Sequence, residues 1–383
     1  MLRFLTAGES HGPALNVIVE GMPSGVPFQL DDVRRELARR RLGFGRGPRM
    51  KIEKDEVELL SGVRFGETLG SPISLVIRNS EWNKWQRVMS AEGKPSGNVL
   101  TEPRPGHADL AGMLKYDRAD ARDILERASA RETAARTAAG ALARRLLREV
   151  GVSVVSHVVA IGSASSSSDI RPGAADLDRV DESPVRCFDE ASEQQMVTQI
   201  EEASAAGDSV GGVFEVIVYG VPTGLGSHVH WDRRLDALLG QAMLSIPAVK
   251  GVEVGDAFEV AKLRGTQAHD EIFYEQGGFI RHTDRAGGTE GGMSIGGTLR
   301  IRAAMKPLST LKTPLRTVDV KTKQAAVAFR ERTDSCAVPA AAVVGEAVVA
   351  IAVASCFLEK FAADTLGDLV ASVDAYLARI SGA

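Results

Sequence analysis

The chain has 383 residues, 44% of them apolar and 5% aromatic, and a formal net charge of −4. This composition is typical of a folded protein with a large core, and the small negative charge argues against binding to a nucleic acid or an anionic membrane. Length alone predicts two or three domains, but no stretch has the composition of a linker, so we expect one domain over residues 1–383.

The hydrophobic pattern predicts short strands and long helices that do not alternate regularly. Leu15, Val17 and Val19 fall on one face of an early strand, and β-branched residues on both faces of 213–221 predict a covered strand. Strands are predicted over 2–6, 13–27, 50–78, 152–161, 213–221, 251–265 and 298–305, helices over 31–41, 119–149, 192–206, 233–246, 336–361 and 364–380, and a loop over 82–101. This order favours an α+β fold with antiparallel strands.

The cysteines and the apolar segments indicate the compartment. The three cysteines lie far apart, with neither metal-ligand spacing nor a disulfide framework. Glu9 and His11 interrupt the apolar start that a signal peptide needs, so we expect a cytoplasmic protein. Residues 337–358 are long and apolar enough to span a membrane. They contain Pro339 and Glu346, however, and we expect a helix buried in the core.

Two histidines in glycine-containing segments are the leading candidates for catalysis. His11 lies in residues 8–12 (GESHG), directly after the first predicted strand, and His107 lies in residues 104–109 (RPGHAD). Imidazole is the side chain that gives or takes a proton near neutral pH. The pattern therefore indicates acid–base chemistry, although capping of a turn by each histidine explains the same residues.

Arginines are concentrated around residues 34–51 and 118–148. Within the long predicted helix, Arg127 and Arg131 are four residues apart and are expected to share a face beside Ser129. Two guanidinium groups next to a hydroxyl would bind a phosphate or a carboxylate well. The alternative is a solvated helix face with ion pairs to neighbouring glutamates.

Three further segments are candidates for ligand binding. Residues 287–297 are rich in glycine, which lets the backbone approach a flat or phosphorylated ligand, but they lack the dinucleotide-binding pattern and equally fit tight turns. Residues 306–310 (KPLST) supply one cation and two hydroxyls. Asp334 precedes the long apolar helix, and capping that helix is the simpler role for a lone aspartate.

Five segments, in this order, resemble the chorismate synthase family. They are residues 8–12, 39–47 (RRRLGFGRG), 104–109, 126–133 (ERASARET) and 332–334 (RTD). The resemblance covers essentially the whole chain, and five motifs in register are hard to obtain by chance. The chain departs from many relatives beside Asp334, where Thr333 and Ser335 replace a histidine or serine and a proline.

The resemblance implies a single-domain β-α-β sandwich, with antiparallel sheets enclosing core helices, that assembles as a homotetramer. It also implies an anti-1,4-elimination of phosphate from 5-enolpyruvylshikimate 3-phosphate, which gives chorismate. The family requires reduced FMN without net redox change, and NADPH is the reductant in members that reduce their own flavin. Such a substrate carries a phosphate and two carboxylates, which explains the need for several fixed cations.

The resemblance further implies roles for individual residues. His11 would protonate the departing phosphate, His107 would stabilise the reduced anionic flavin, and Asp334 would relay a proton at the flavin's reactive nitrogen. The positions implied to contact substrate or NADPH are Ser10, Arg40, Arg46, Arg49 and Arg131. The positions implied to contact the flavin are Arg127, Ala128, Ser129, Pro247, Ala248, Gly291, Lys306, Pro307, Leu308, Ser309, Thr310 and Arg332.

Two other functions would use the same features. An oxidoreductase that uses FMN or NADPH on an anionic substrate needs similar arginine- and glycine-rich surfaces, but it consumes NADPH stoichiometrically. An anion- or RNA-binding protein would use the arginine clusters and would lose affinity steeply with salt. The acidic net charge and the lack of aromatic residues interleaved with basic ones argue against RNA.

Overall fold

Two antiparallel sheets enclose a layer of helices in this computed structural model, which describes residues 2–47, 55–94, 96–167, 169–275, 277–331 and 334–381. The strands are β1 (Arg3–Ala7), β2 (Ala14–Glu20), β3 (Ser24–Pro27), β4 (Val57–Ser61), β5 (Val63–Arg64), β6 (Glu67–Leu69), β7 (Ile73–Arg78), β8 (Ser153–Ile161), β9 (Ala164–Ser165), β10 (Gly212–Tyr219), β11 (Val249–Val254), β12 (Phe273–Glu275), β13 (Gly278–Ile280), β14 (Thr289–Glu290), β15 (Met293–Ser294), β16 (Leu299–Met305), β17 (Arg316–Val318) and β18 (Ala325–Val327). The helices are α1 (Leu30–Arg41), α2 (Trp82–Trp85), α3 (Asp109–Tyr116), α4 (Arg122–Ala128), α5 (Thr133–Glu149), α6 (Leu177–Glu182), α7 (Glu190–Ala205), α8 (Leu235–Leu244), α9 (Ala257–Val260), α10 (Gly265–Ala268), α11 (Val338–Lys360) and α12 (Leu366–Ser381), with 3-10 turns at Ala130–Glu132 and Trp231–Arg233.

The first sheet has the strand order β1-β2-β7-β4, and its pairings are antiparallel. In β2 the side chains of Leu15, Val17 and Val19 are buried and those between them are exposed, so the predicted face is confirmed. Helix α5 packs on this sheet. β1 is an edge strand of the sheet, so one side of its backbone needs other hydrogen-bond partners.

The second sheet has the order β11-β16-β10-β8-β9 and is also antiparallel. Phe214 and Val216 of the central strand β10 are fully buried, and so is Glu215 on the opposite face. His157 and Arg302 lie directly beside Glu215 in the neighbouring strands and hydrogen-bond to its carboxylate. The predicted burial of both faces of this strand is confirmed.

Helices α5 and α11 pack on each other between the sheets, with α5 against β2 and α11 against β8 and β10. Within the described residues, α11 is the helix that is long and apolar enough to cross a membrane, yet 89% of its most apolar window is buried inside the molecule. The prediction of a core helix here is confirmed. The α+β class, with antiparallel sheets enclosing helices, is confirmed as well.

Two segments outside the helix predicted over 119–149 differ from their predictions. Residues 82–101 begin with the one-turn helix α2 instead of a loop, and Trp85 of this turn packs against the ring of His11. The strand predicted over 251–265 ends at Val254, since Gly255 has a φ of 62° and its backbone N–H donates to the Arg300 carbonyl. Two short helices, α9 and α10, replace the rest of that strand.

Candidate active site

A cavity of about 420 Å³ lies between the carboxyl end of α1 and the amino end of α11. Its other walls are the turn after β1, the turn before α3, the segment between α4 and α5, and the segments before β11 and after β16. This volume is within the usual range for small-molecule sites. Basic side chains on the lining are Arg40, Arg46, Arg104, Arg131 and Lys306, and apolar ones include Ile246, Met305, Leu308 and Val344.

His11 is held by a buried glutamate and a tryptophan. Its Nδ1 lies 3.0 Å from both carboxylate oxygens of Glu126, and its backbone N–H donates to Glu126 Oε2 at 2.8 Å. The ring packs on Trp85 with 4.0 Å between the centroids. Since a carboxylate only accepts hydrogen bonds, Nδ1 carries the hydrogen, and Nε2 remains for the cavity that His11 lines.

The ionised state of Glu126 depends on its neighbours. Burial alone would raise the pKa of this carboxyl, but the hydrogen bonds from His11 and the charge of Arg122 lower it below its ordinary value. Arg122 donates to Glu126 Oε1 at 3.1 Å, and it also lies over the Trp85 ring. Glu126 is therefore a carboxylate at neutral pH.

His107 has a similar environment in the second histidine segment. Its Nδ1 hydrogen-bonds to Asp109 Oδ1, while Asp109 Oδ2 accepts from Arg104 Nε at 2.9 Å. Burial alone would raise the pKa of Asp109, but the hydrogen bonds from His107 and Arg104 lower it to about 2. Arg104 also donates to Thr310 Oγ1 at 2.8 Å, which connects this turn to the segment after β16.

The helix predicted over residues 119–149 is interrupted beside the cavity. Helix α4 ends at Ala128, and Ser129 is extended, with φ −61° and ψ 140°. The backbone N–H of Ser10 donates to the Glu126 carbonyl at 2.9 Å, taking the place of the N–H that a continuing helix would supply. The Ser129 hydroxyl then accepts from the Arg131 N–H at 3.3 Å and begins the 3-10 turn that leads into α5.

The break separates two arginines that were expected to share a helix face. The Arg127 guanidinium donates to the carbonyls of Thr6 and Gly8, both at 3.0 Å, and so satisfies two backbone acceptors at the end of β1 and just after it. Arg131 turns to the cavity instead. The prediction of two guanidinium groups side by side around Ser129 is therefore wrong.

Arg131 belongs to a buried ionic cluster with the end of α1. It forms an ion pair with Asp55, whose carboxylate also lies 3.8 Å from Arg40. Burial alone would raise the pKa of Asp55, but the charges of Arg131 and Arg40 lower it. Arg40 also donates to Thr133 Oγ1 at 3.0 Å, so both guanidinium groups are fixed in place before any ligand binds.

Asp334 joins the cavity from the segment before α11. Its Oδ1 accepts from the Gly47 backbone N–H at 2.6 Å, and its Oδ2 pairs with Arg46 at 2.8 Å. The N-cap position of α11 is Ala337, without a capping side chain. The helix-capping role considered for Asp334 is therefore wrong.

The segments before β11 and after β16 meet through backbone and side-chain contacts. Ala248 has a φ of 68°, a left-handed conformation that costs a non-glycine residue about 1 kcal/mol. Its carbonyl accepts from the Lys306 N–H at 3.0 Å. The Lys306 ammonium donates to the Gly106 carbonyl at 2.5 Å, next to His107. Backbone strain of this kind is characteristic of binding sites.

Most residues predicted to bind or react lie on this cavity, although their roles stay predictions. They are Ser10, His11, Arg40, Arg46, His107, Ala128, Ser129, Arg131, Pro247, Ala248, Lys306, Leu308, Ser309, Thr310 and Asp334. Arg127 and Pro307 are not on its lining, and Gly291 lies in the turn between β14 and β15, where the tight-turn interpretation is confirmed. Arg49 and Arg332 lie outside the described residues.

Several side chains that hold the histidines were not assigned a role from the sequence. Asp109 stands two residues after His107 in the same motif, so a carboxylate partner was visible there. Glu126 is 115 residues from His11, and no local pattern connects them. Trp85 lies in a segment without hydrophobic periodicity, so its contact with His11 had no sequence signal.

Comparison with known proteins decides the family. The model of the chorismate synthase family matches residues 2–358. The chain belongs to the chorismate synthase family. It is 54% identical to the chorismate synthase of Leifsonia xyli subsp. xyli and 55% identical to that of Nocardia farcinica, over 100% of this chain and 97% and 96% of theirs. A solved structure described as "Crystal Structure of Chorismate Synthase" matches with a TM-score of 0.80 and 39% identity, over 100% of this chain and 99% of that chain.

Membership of the chorismate synthase family makes this chain a lyase that acts on a small-molecule substrate. The cavity lining could hold a cofactor that carries both an apolar part and a phosphate. The small side chains of Ala337, Ala340 and Ala341 leave an apolar wall at the start of α11, while Ser129 and Lys306 offer hydrogen-bond donors. Among the described residues, no group of three or more histidine, cysteine, aspartate or glutamate side chains could hold a metal ion.

Proposed function

We propose that this chain is a chorismate synthase that eliminates phosphate from 5-enolpyruvylshikimate 3-phosphate and gives chorismate. The observation that carries the proposal is the pair of His11 and His107, each bonded through Nδ1 to a buried carboxylate and both on one cavity with basic side chains. An elimination of phosphate needs a proton donor for the leaving group and fixed positive charge around it. This cavity supports both requirements.

The substrate's phosphate and carboxylates are proposed to bind at Arg40, Arg46 and Arg131, with Ser10 beside them. Arg40 and Arg131 are 4% and 5% exposed. Attraction between ions is stronger in such a dry setting than in water, and guanidinium groups bind both anions in a bidentate manner. Arg49, outside the described residues, is included on the family resemblance alone.

The cofactor in this proposal is reduced FMN, which, when bound, lends an electron to the substrate and takes it back, so that no net oxidant is needed. Residues on the cavity that would hold it are Ala128, Ser129, Pro247, Ala248, Lys306, Leu308, Ser309 and Thr310. Arg127, Gly291, Pro307 and Arg332 are added from the resemblance. NADPH would enter only if this enzyme reduces its own flavin.

Three side chains are proposed to manage protons. His11 donates from Nε2 to the phosphate oxygen, which neutralises charge as the carbon–oxygen bond breaks. His107, held by Asp109, would stabilise the reduced anionic form of the flavin. Asp334, held by Gly47 and Arg46, would relay a proton at the flavin's reactive nitrogen.

We further propose one domain per chain and a cytoplasmic homotetramer. A single cluster of buried apolar side chains extends from Leu2 to Val373, which supports one domain. Cys187, Cys336 and Cys356 are buried free thiols, as expected in a reducing compartment. Sedimentation analysis of the purified protein tests the assembly, and a stable monomer would contradict it.

The deciding experiment is anaerobic incubation with pre-reduced FMN and 5-enolpyruvylshikimate 3-phosphate. We expect phosphate and chorismate in equal amounts, with no stoichiometric loss of NADPH when NADPH is added. An oxidoreductase would instead consume one NADPH for each product molecule. Absence of phosphate release from folded protein with reduced FMN would reject the proposed function.

A further inference from the structure

Glu126 is buried and hydrogen-bonds to both the ring and the backbone of His11. It is 2% exposed, and both of its carboxylate oxygens lie within 3.0 Å of His11 Nδ1. Glu126 Oε2 also accepts a hydrogen bond from the backbone N–H of His11. The backbone carbonyl of Glu126 accepts another from the backbone N–H of Ser10. One residue therefore fixes both the backbone and the ring of His11.

The contacts determine which ring nitrogen of His11 can react. The carboxylate requires the hydrogen on Nδ1, so a second proton on this ring can reside only on Nε2. Trp85 packs along the ring and restricts its rotation. Together the two contacts set the tautomer and the plane of a side chain that lines the cavity.

Arg122 helps to keep the Glu126 carboxylate ionised and still leaves it bonded to His11. Its guanidinium reaches Glu126 Oε1 at 3.1 Å, whereas Oε2 accepts the His11 backbone N–H. The lowered pKa of Glu126 agrees with a permanent negative charge beside the imidazole. A carboxylate in this position stabilises the imidazolium form of the histidine, which is the form that donates the proton.

We propose that Glu126 is a positioning residue for the elimination: it holds the hydrogen of His11 on Nδ1 and directs the acidic proton to Nε2. The inference rests on the proposed function, in which His11 protonates the leaving phosphate. The Nε2 proton passes to a phosphate oxygen, and the electron pair of the breaking carbon–oxygen bond goes to that phosphate. At the other end of the net 1,4-elimination, the electron pair of the breaking carbon–hydrogen bond enters the new conjugated diene, and that proton leaves on the side assigned above to Asp334. Neutral His11 remains, with Nδ1–H still donated to Glu126.

The test compares Glu126→Gln and Glu126→Asp with Glu132→Gln. Glu132 is also buried, but its carboxylate pairs with Arg136 and touches neither histidine. Two quantities are measured: the ring ¹⁵N shifts of His11 in the substrate-free protein, which report the tautomer, and kcat and KM for phosphate release with pre-reduced FMN. Thermal unfolding identifies any variant that fails to fold.

In Glu126→Gln we expect the ring hydrogen to move from Nδ1 to Nε2, because the amide can donate to Nδ1. The value of kcat should fall roughly 10- to 1,000-fold while KM changes little, since substrate contacts are intact. Glu126→Asp keeps the charge and should recover part of the rate, and Glu132→Gln should behave like wild type.

Failure of the inference is separable from failure of the proposed function. If wild type releases phosphate and folded Glu126→Gln keeps its kcat, the positioning role is overturned while the function stands. If wild type releases no phosphate, the function fails, and unchanged ¹⁵N shifts in Glu126→Gln would independently overturn the inference. If Glu126→Gln does not fold, Glu126→Asp decides: wild-type kcat combined with an Nε2–H tautomer would overturn it.

Discussion

His11 and His107 share one arrangement of neighbours although they lie far apart in the sequence. Each ring is bonded through Nδ1 to a carboxylate that is at most 2% exposed, and each carboxylate also accepts from an arginine, Arg122 or Arg104. The arginine keeps the carboxylate ionised, and at His11 the carboxylate also fixes the ring hydrogen on Nδ1. Capping of a turn would require neither partner.

Replacing either histidine should therefore stop chemistry without unfolding the chain. We expect His11→Ala and His107→Ala each to lower kcat for phosphate release roughly 10- to 10⁴-fold, because a positioned acid–base group is removed. The measurements are steady-state phosphate release with pre-reduced FMN and thermal unfolding of each variant.

A histidine distant from the cavity provides the control for these variants. His230 is on the surface, where its Nδ1 lies 2.7 Å from Asp232, and it is not on the cavity lining. His230→Ala should keep the wild-type rate. Near-normal rates in both cavity variants, with unchanged unfolding temperatures, would remove the acid–base assignment.

Among the secondary-structure elements, those with periodic burial were predictable and those fixed by distant contacts were not. β2 alternates buried and exposed side chains, and the buried residues of α11 other than Glu346 are apolar, because the helix lies between two layers. No proline or glycine lies next to Ser129 to predict the break in the helix there. It arises because Ser10, far away in sequence, occupies the Glu126 carbonyl.

The candidate site shows the same division. The motifs around His11 and His107 predict these two side chains as the reacting groups, because the glycine and proline residues beside them indicate turns. The carboxylate and the indole that orient His11 come from other elements. Residue chemistry could thus be predicted from short segments, whereas orientation depends on the contacts that the turn after β1 makes with α4 and α2.

The close packing of α5 on α11 predicts how a substitution at Gly140 changes stability. A Cβ at Gly140 would lie 2.3 Å from the Cβ of Ala347 and 3.0 Å from its carbonyl oxygen. Gly140→Ala should lower the free energy of unfolding by about 1–3 kcal/mol through overpacking, although alanine favours helices by about 1 kcal/mol. Urea unfolding measures the difference.

Gly367 in α12 is the matched control, because a Cβ there would meet only Thr365 Oγ1, at 3.9 Å. Gly367→Ala should leave stability unchanged or increase it by up to about 1 kcal/mol through helix propensity. Equal effects of the two substitutions would show that close helix packing at Gly140 is not needed.

Across the whole molecule, buried carboxylates connect the layers. Glu346, in the middle of α11, bonds to Arg39 of α1, lies 3.0 Å from Arg186, and also pairs with Arg144 of α5. Burial alone would raise the pKa of Glu346, but these three arginines lower it. Removing one partner of such a buried pair typically costs about 3–5 kcal/mol, so the fold depends on the carboxylate staying ionised.

The cluster around Glu215 behaves in the same way between β8, β10 and β16. Burial alone would raise the pKa of Glu215, but the hydrogen bond from His157 and the charges of Arg302 and Arg300 lower it from 4.5 to about 2. A carboxyl whose pKa is lower in the folded chain stabilises the fold above its unfolded value and loses this contribution as pH falls through the folded value. For Glu215 the loss falls between about pH 5 and pH 2 and is on the order of 3 kcal/mol.

We therefore expect the free energy of unfolding to fall steeply from pH 5 towards pH 3, as measured by urea unfolding at a series of pH values. Glu215→Gln should be less stable than wild type at pH 6, because Arg302 and Arg300 lose a charged partner. Its stability should also depend less on pH in the acid range, because glutamine does not titrate. The two stability curves should come closer together as the pH falls towards 2. Parallel curves would mean that Glu215 titrates alike in the folded and unfolded chains, and the ionic cluster would then have no part in acid unfolding.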